Sequence, residues 1–239
     1  MITPFFLQAL MGLANPLNKR ALALCSSTFF GAAKLTMAGV VLLAYHVLYK
    51  RKKLTMPPSH LLYYAQIIGF GMMGVHILKY WGLQHMSATK MAFLYGTSPL
   101  FVALVSCIRF HDWFTRKQVV GMFICFFALV PMLLTSSKVE QSLGEFLYLS
   151  WPELAVLAAA LFHAISSTSK RILLRKSGFW PVQINGLCLL LGGLGTFVLW
   201  YLKDGVLVTD TLPVVLGYVA LTMCMTKVIC SNVKLYLMK

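Results

Sequence analysis

SGFWPVQINGLCLLLGGLGTFVLWYL, Ser177 to Leu202, runs without a single Lys, Arg, Asp or Glu. A helix rises about 1.5 Å per residue and the hydrocarbon layer of a bilayer is about 30 Å thick, so roughly 20 such residues suffice to cross it. The stretch is apolar on every face rather than along one stripe, as expected of a helix solvated by lipid. It is read as a spanning helix, and the rest of the chain repeats the pattern. Met1 to Asn18, Leu54 to Leu78, Met91 to Ile108 and Gln118 to Ser137 are equally free of charge. Ala21 to Tyr49 is interrupted only by Lys34, Thr211 to Val233 only by Lys227, and Leu154 to Ser169 is a shorter clean run behind Glu153.

These runs predict an all-α, polytopic transmembrane bundle of eight helices. Composition agrees, since 59% of the 239 residues are hydrophobic and 11% are charged, against about 45–50% and about 25% in soluble domains. A transmembrane β-barrel would alternate apolar and polar residues in segments of about ten, which these runs do not. The first run has no basic residue ahead of it and seven more segments behind it, so it reads as a retained helix rather than a signal peptide.

The net charge of +15 does not mark a nucleic-acid surface, because Lys and Arg sit in short clusters between apolar runs. Lys50 to Lys53 follow helix 2, Arg109, Arg116 and Lys117 follow helix 4, and Lys170, Arg171, Arg175 and Lys176 follow helix 6. Every second loop is basic, and the positive-inside rule puts those loops and the N-terminus in the cytoplasm. Lys19 and Arg20, expected at the outer end of helix 1, are exceptions. The expected location is a bacterial-type cytoplasmic (inner) membrane. The six cysteines all lie in apolar runs with no C-x-x-C pair, so they are read as small hydrophobes. No metal site or cofactor is expected, and the oligomeric state stays open.

The chain also carries an internal repeat. At an offset of 151, Lys19-Arg20 falls on Lys170-Arg171, Leu22 on Leu173, Ser26 on Ser177, Phe29 on Trp180 and Leu48 on Leu199. Leu61 then falls on Leu212 and Met72 on Met223, and an offset four larger matches Lys79-Tyr80-Trp81 to Lys234-Leu235-Tyr236. A unit with an odd number of helices must be followed by a copy inverted in the membrane, an arrangement common in secondary transporters. Residues 1–137 are expected to form a first five-helix repeat, and residues 151–239 the first three helices of its inverted copy. The counterparts of helices 4 and 5 are then absent, and the chain is either a fragment, which is the favoured expectation, or a shortened protein.

A family resemblance follows from Ser87-Ala88-Thr89-Lys90-Met91-Ala92-Phe93-Leu94-Tyr95-Gly96-Thr97-Ser98-Pro99-Leu100-Phe101. This small-residue turn, helix and mid-helix proline, continued by Asp112, Arg116, Gln118 and Gly121, resembles the EamA-type members of the drug/metabolite transporter superfamily. Trp151-Pro152-Glu153-Leu154 followed by Ala158, Ala159 and Ala160 resembles the opening of that family's second repeat. The resemblance implies ten helices in two five-helix repeats and a transport function. Two departures stand out: Asp112 replaces a usual glutamate, and the last two helices are missing.

An ionisable side chain at mid-membrane costs about 2.5–3.5 kcal/mol on insertion scales, so Lys34 and Lys227 need a reason. Either they face a central cavity and bind an anionic group, or their stems lie in hydrocarbon while the ammonium snorkels to the interface. The repeat pairs Lys34 with Asn185 and Lys227 with His76. Lys79 and Lys90 flank a loop and are expected at the interface. All six acidic residues lie in loops or at helix ends, so no intramembrane carboxylate is available for a cationic drug or a proton relay. Glu153 is expected to cap helix 6.

Asn15-Pro16 is expected to break helix 1 at the place matched by Ser166-Ser167 in helix 6, and Pro99 and Pro131 to act alike in helices 4 and 5. Gly69-x-Gly71-x-x-Gly74 and Gly192-Gly193-x-Gly195 read as close-packing surfaces rather than nucleotide loops. The candidate substrate-binding residues are Lys34, Lys227, Asn15, Asn185, Tyr95, His163 and Ser167.

The expected function is a secondary transporter for a small anionic or zwitterionic metabolite, working by alternating access. Families it resembles put amino-acid-like solutes first, including S-adenosylmethionine, with exchange rather than pumping as the expected mode and sugar phosphates as runner-up. An intramembrane lipid-modifying enzyme would need converging nucleophiles, metal ligands or acid and base groups, and the six histidines show no such spacing. The chain is therefore read as no enzyme. A scaffold or receptor subunit is the third class. The expected partners are a small-molecule substrate and the lipid bilayer, with no nucleic acid.

Overall fold

The computed structural model describes residues 2–50, 60–110, 115–127, 145–146, 149–177, 181–203 and 212–230. Among them are eight helices, as the apolar runs predict. They are α1 (Ile2–Leu22), α2 (Ser27–Lys50), α3 (Leu61–His85), α4 (Ala88–Phe110), α5 (Arg116–Phe127), α6 (Trp151–Ser177), α7 (Pro181–Lys203) and α8 (Leu212–Met223). A two-residue pair of strands, β1 (Glu145–Phe146) and β2 (Leu149–Ser150), leads into α6. Ser27–Leu48, α3, α4 and α7 are each long and apolar enough to cross a bilayer. The outward surface is apolar to match, with Leu48 77% and Leu202 75% exposed, and a multi-pass protein with lipid around it follows. Pro131, Asp112 and the expected ends of helices 5 and 8 lie outside the described residues.

Close packing follows the glycines. A Cβ added to Gly39 would stand 2.5 Å from the Leu190 amide nitrogen and 2.7 Å from its Cα, so α2 and α7 touch backbone to backbone there. Gly193 lies against Thr36 and Gly186 against Leu42 and Leu43, which makes the pair antiparallel and centres its crossing on Gly39 and Leu190. Phe29 stacks near Trp200 at 5.3 Å between ring centroids at one end of this seam. Gly71 meets Ser166, Gly74 meets Phe162 and Gly82 meets Val156, so α3 runs antiparallel along α6. Without side chains in the way, the helices gain dispersion contacts that lipid tails cannot match. Gly69 has nothing within 4 Å of an added Cβ and takes no part.

Two helices carry π-helical turns, α3 over Ile67–Gly74 and the continuation of α8 over Cys224–Cys230. Such turns add a residue per turn, rotate the side chains that follow, and are common at functional sites. α4 is interrupted instead: its helical hydrogen bonding stops after Tyr95, Gly96-Thr97 form a turn, and the helix resumes at Ser98 with Pro99 in its first turn. Proline fits that place, since its missing N–H has no partner to lose there.

Helix 1 differs from expectation. α1 continues through Pro16 without a break. Proline removes only one hydrogen bond, and Ala14, Asn15, Asn18 and Ala21 on the buried side of α1 are held by the bundle.

Candidate functional site

Lys34 is 1% exposed, eight residues into α2. Its ammonium donates to Oδ1 of Asn18 on α1 at 2.9 Å and lies 5.5 Å and 5.9 Å from the ring centroids of Phe30 and Tyr80. A neutral amide oxygen and two aromatic faces are weak compensation for a charge removed from water. Snorkelling does not describe this side chain, because its head is as buried as its stem.

Lys227 lies within the π-helical end of α8, and its ammonium meets Nε2 of His76 on α3 at 2.5 Å. The other ring nitrogen, Nδ1, is 2.7 Å from the Met72 carbonyl. With Nδ1–H donating to that carbonyl, Nε2 is left to accept a hydrogen bond from the Lys227 ammonium. The Tyr80 ring lies between the two groups, its centroid 5.9 Å from the Lys34 ammonium and 5.7 Å from that of the His76 ring. The two lysines singled out from the sequence therefore converge on one polar region between α1, α2, α3 and α8.

Three residues beyond His76, on the same side of α3, Lys79 leads to a second group. Lys79 Nζ lies 4.2 Å from the ring centroid of Tyr95 at the interruption of α4. The Tyr95 ring is 5.8 Å from that of His163 on α6, whose Nε2 is 3.3 Å from the Ser167 hydroxyl. Tyr95, His163 and Ser167 are thus brought together, and Lys79 joins them. Asn15 is buried one turn before Asn18 on α1. Asn185 is fully buried in α7, but its neighbour Gly186 lies against Leu42 and Leu43. That level is about 12 Å along α2 from Lys34, so the structure does not bring this repeat-matched pair together.

Each end of the bundle is pinned by polar contacts. Lys90 and Glu153 form an ion pair at 2.5 Å with side chains 5% and 1% exposed, so Lys90 is buried in the bundle. Glu153 caps α6 as expected: the Ser150 amide donates to its second oxygen at 2.6 Å, the return half of an S-x-x-E capping box. Ser87 accepts from the Lys90 amide at 3.1 Å and caps α4, so the ion pair joins two helix N-termini. Nearby, Lys19 donates to the Met86 carbonyl. At the opposite end, Arg109 donates to Ser169 at 3.0 Å and to Gln66 at 3.3 Å, and the Ser169 hydroxyl donates to Gln66 at 2.9 Å. This cluster ties α4 to α6 and α3.

Cys25, in the turn between α1 and α2, points its thiol at the Ala21 carbonyl at 3.3 Å, and burial pushes that thiol up to about 11. A thiol kept protonated by burial is a weak nucleophile. Among the described residues no cluster of His, Cys, Asp and Glu could hold a metal ion.

A family model described as the EamA-like transporter family matches residues 2–134. An S-adenosylmethionine/S-adenosylhomocysteine transporter of Chlamydia muridarum is 25% identical over 179 residues, covering 74% of this chain and 56% of that protein. The protein of the same name from Chlamydia trachomatis serovar L2 is 28% identical over 163 residues, covering 68% of this chain and 48% of that one. The chain spans about half the length of these curated relatives. One solved crystal structure shares the fold, with a TM-score of 0.62 over 97% of this chain and 83% of its own at 15% identity.

Proposed function

The chain belongs to the EamA-like transporter family, and from that premise we propose that it is a secondary carrier for a small anionic or zwitterionic metabolite. The substrate is amino-acid-like, with S-adenosylmethionine foremost, and it moves by alternating access in exchange for a related solute. The observation that carries this reading is the convergence of Lys34 and Lys227 in the bundle interior, each held by a neutral partner. A substrate carboxylate placed there converts an unfavourable burial into a charge-assisted contact. The Tyr95 and His163 rings, 5.8 Å apart, offer faces for an adenine. The names of the chlamydial relatives, which pair S-adenosylmethionine with S-adenosylhomocysteine, support the choice of substrate and of exchange.

In this reading residues 1–137 form one five-helix repeat and residues 151–239 three helices of its inverted copy. The protein lies in a bacterial-type inner membrane with its N-terminus in the cytoplasm. The charge pattern of the loops supports that orientation, and it puts the Lys90–Glu153 end outside.

Proteoliposomes of the full-length protein test the proposal. Labelled S-adenosylmethionine should enter saturably and faster into vesicles preloaded with S-adenosylhomocysteine, and Lys34→Ala or Lys227→Ala should reduce uptake at least tenfold. Normal uptake by both variants would remove the lysines from the site, and stabilisation of the protein by a different metabolite class would replace the substrate.

A further inference from the structure

Two residue pairs separated by 151 positions, the offset of the repeat, touch each other: Gly39 with Leu190 and His76 with Lys227. A two-fold rotation displaces an atom by twice its distance from the axis, so a residue touches its own equivalent only beside that axis. The pairs come from different helices, α2 with α7 and α3 with α8, and so mark the line twice. Lys90 and Glu153 are not equivalents under that offset, and they sit at one end of the bundle.

We propose that the α2–α7 crossing at Gly39 and Leu190 is a fixed axis of the transport cycle, and that the Lys90–Glu153 ion pair is the closure that parts in every turnover to open the outer end. This rests on the carrier reading with inverted repeats. In such a carrier the outward and inward states interchange the conformations of the two repeats. Contacts on the axis map onto themselves and persist, whereas contacts away from it are remade.

The chemistry of the two contacts suits these roles. At Gly39 backbone lies on backbone, and separating the helices would forfeit dispersion contacts without return. An ion pair differs, because water entering an opening end hydrates both charges and offsets the lost attraction. The α4 helix is built so that its two ends can move one at a time. Its outer half carries Lys90, its inner half is held by Arg109 on Ser169 and Gln66, and the Gly96-Thr97 turn separates the two.

The test uses full-length protein in proteoliposomes, with its native cysteines replaced by alanine. A Cβ on Gly186 would lie 3.3 Å from that of Leu42, near the range a disulfide spans, so L42C/G186C can be oxidised across the seam. K90C/E153C is bridged with a short bis-methanethiosulfonate reagent. Oxidised L42C/G186C should keep at least half of its reduced uptake rate, while bridged K90C/E153C should lose at least tenfold and recover on reduction.

A disulfide across the seam that stops uptake, or a bridged K90C/E153C that transports at its reduced rate, overturns the proposal. Because K90C/E153C risks misfolding, Glu153→Gln provides a second reading in a Tyr95→Cys background. It should raise labelling of that cysteine by a membrane-impermeant maleimide several-fold, and unchanged labelling counts against the latch. If wild type and all reduced variants fail to transport, the carrier reading falls and takes this proposal with it.

Discussion

The Lys227 ammonium and Nε2 of His76 meet at 2.5 Å although 151 residues separate them. Both positions depend on π-helical turns, for Lys227 lies within Cys224–Cys230 and His76 two residues beyond Gly74. Bonded groups that act as one unit lose their effect together. Lys227→Ala and His76→Ala should each weaken substrate affinity about tenfold, and the double variant should be little worse than either. A double-mutant cycle on binding checks this, and effects that add to within about 0.5 kcal/mol would mean that the two residues act independently.

Lys34 separates function from stability. Replacing a buried charge by an apolar side chain of similar volume is often neutral or stabilising by about 1–4 kcal/mol, and the Asn18 oxygen left unpaired costs about 1–3 kcal/mol in return. Lys34→Met should leave the Tm within a few degrees of wild type while uptake falls at least tenfold. A lysine kept for structure alone would show the reverse, a lower Tm with transport retained.

The α2–α7 seam makes a prediction about packing. An alanine at Gly39 would stand 2.5 Å from the Leu190 nitrogen and 2.8 Å from its Cβ, and backbone cannot step aside as a side-chain tip can. Gly39→Ala should destabilise by about 1–3 kcal/mol. Gly217→Ala, with nothing within 4 Å, should be neutral or gain up to about 1 kcal/mol. Thermal unfolding in detergent compares the two, and shifts of the same sign would refute the close approach.

The helices were legible because hydrocarbon demands long uncharged runs, and Lys34 and Lys227 because each interrupts one. Their partners were not. Asn18 lies 16 residues before Lys34, a spacing that belongs to no helical face. His76 was visible as a titratable side chain and as a match to Lys227 at the repeat offset, neither of which says anything of contact.

Lys90 and Glu153 each sit beside the end of an apolar run, where charge costs little, so only the tertiary pairing of two helix starts shows that both are buried. The place of Glu153 in the first turn of helix 6 did disclose a cap, but not its partner Ser150. Pro16 misled in the other direction, since local chemistry predicts a break that the packing of α1 overrides.

The bond from Lys34 to Asn18 also bears on how the chain enters the membrane. A ribosome delivers α1 before α2, and a lone helix bearing a lysine a third of the way along it pays up to about 2.5–3.5 kcal/mol at the translocon. With only a short turn between Leu22 and Ser27, the first two helices can leave the channel as a hairpin in which Asn18 already faces the ammonium. The amide that steadies Lys34 in the finished bundle is thus available from the moment of insertion, and the order of synthesis brings the acceptor into the bilayer ahead of the charge.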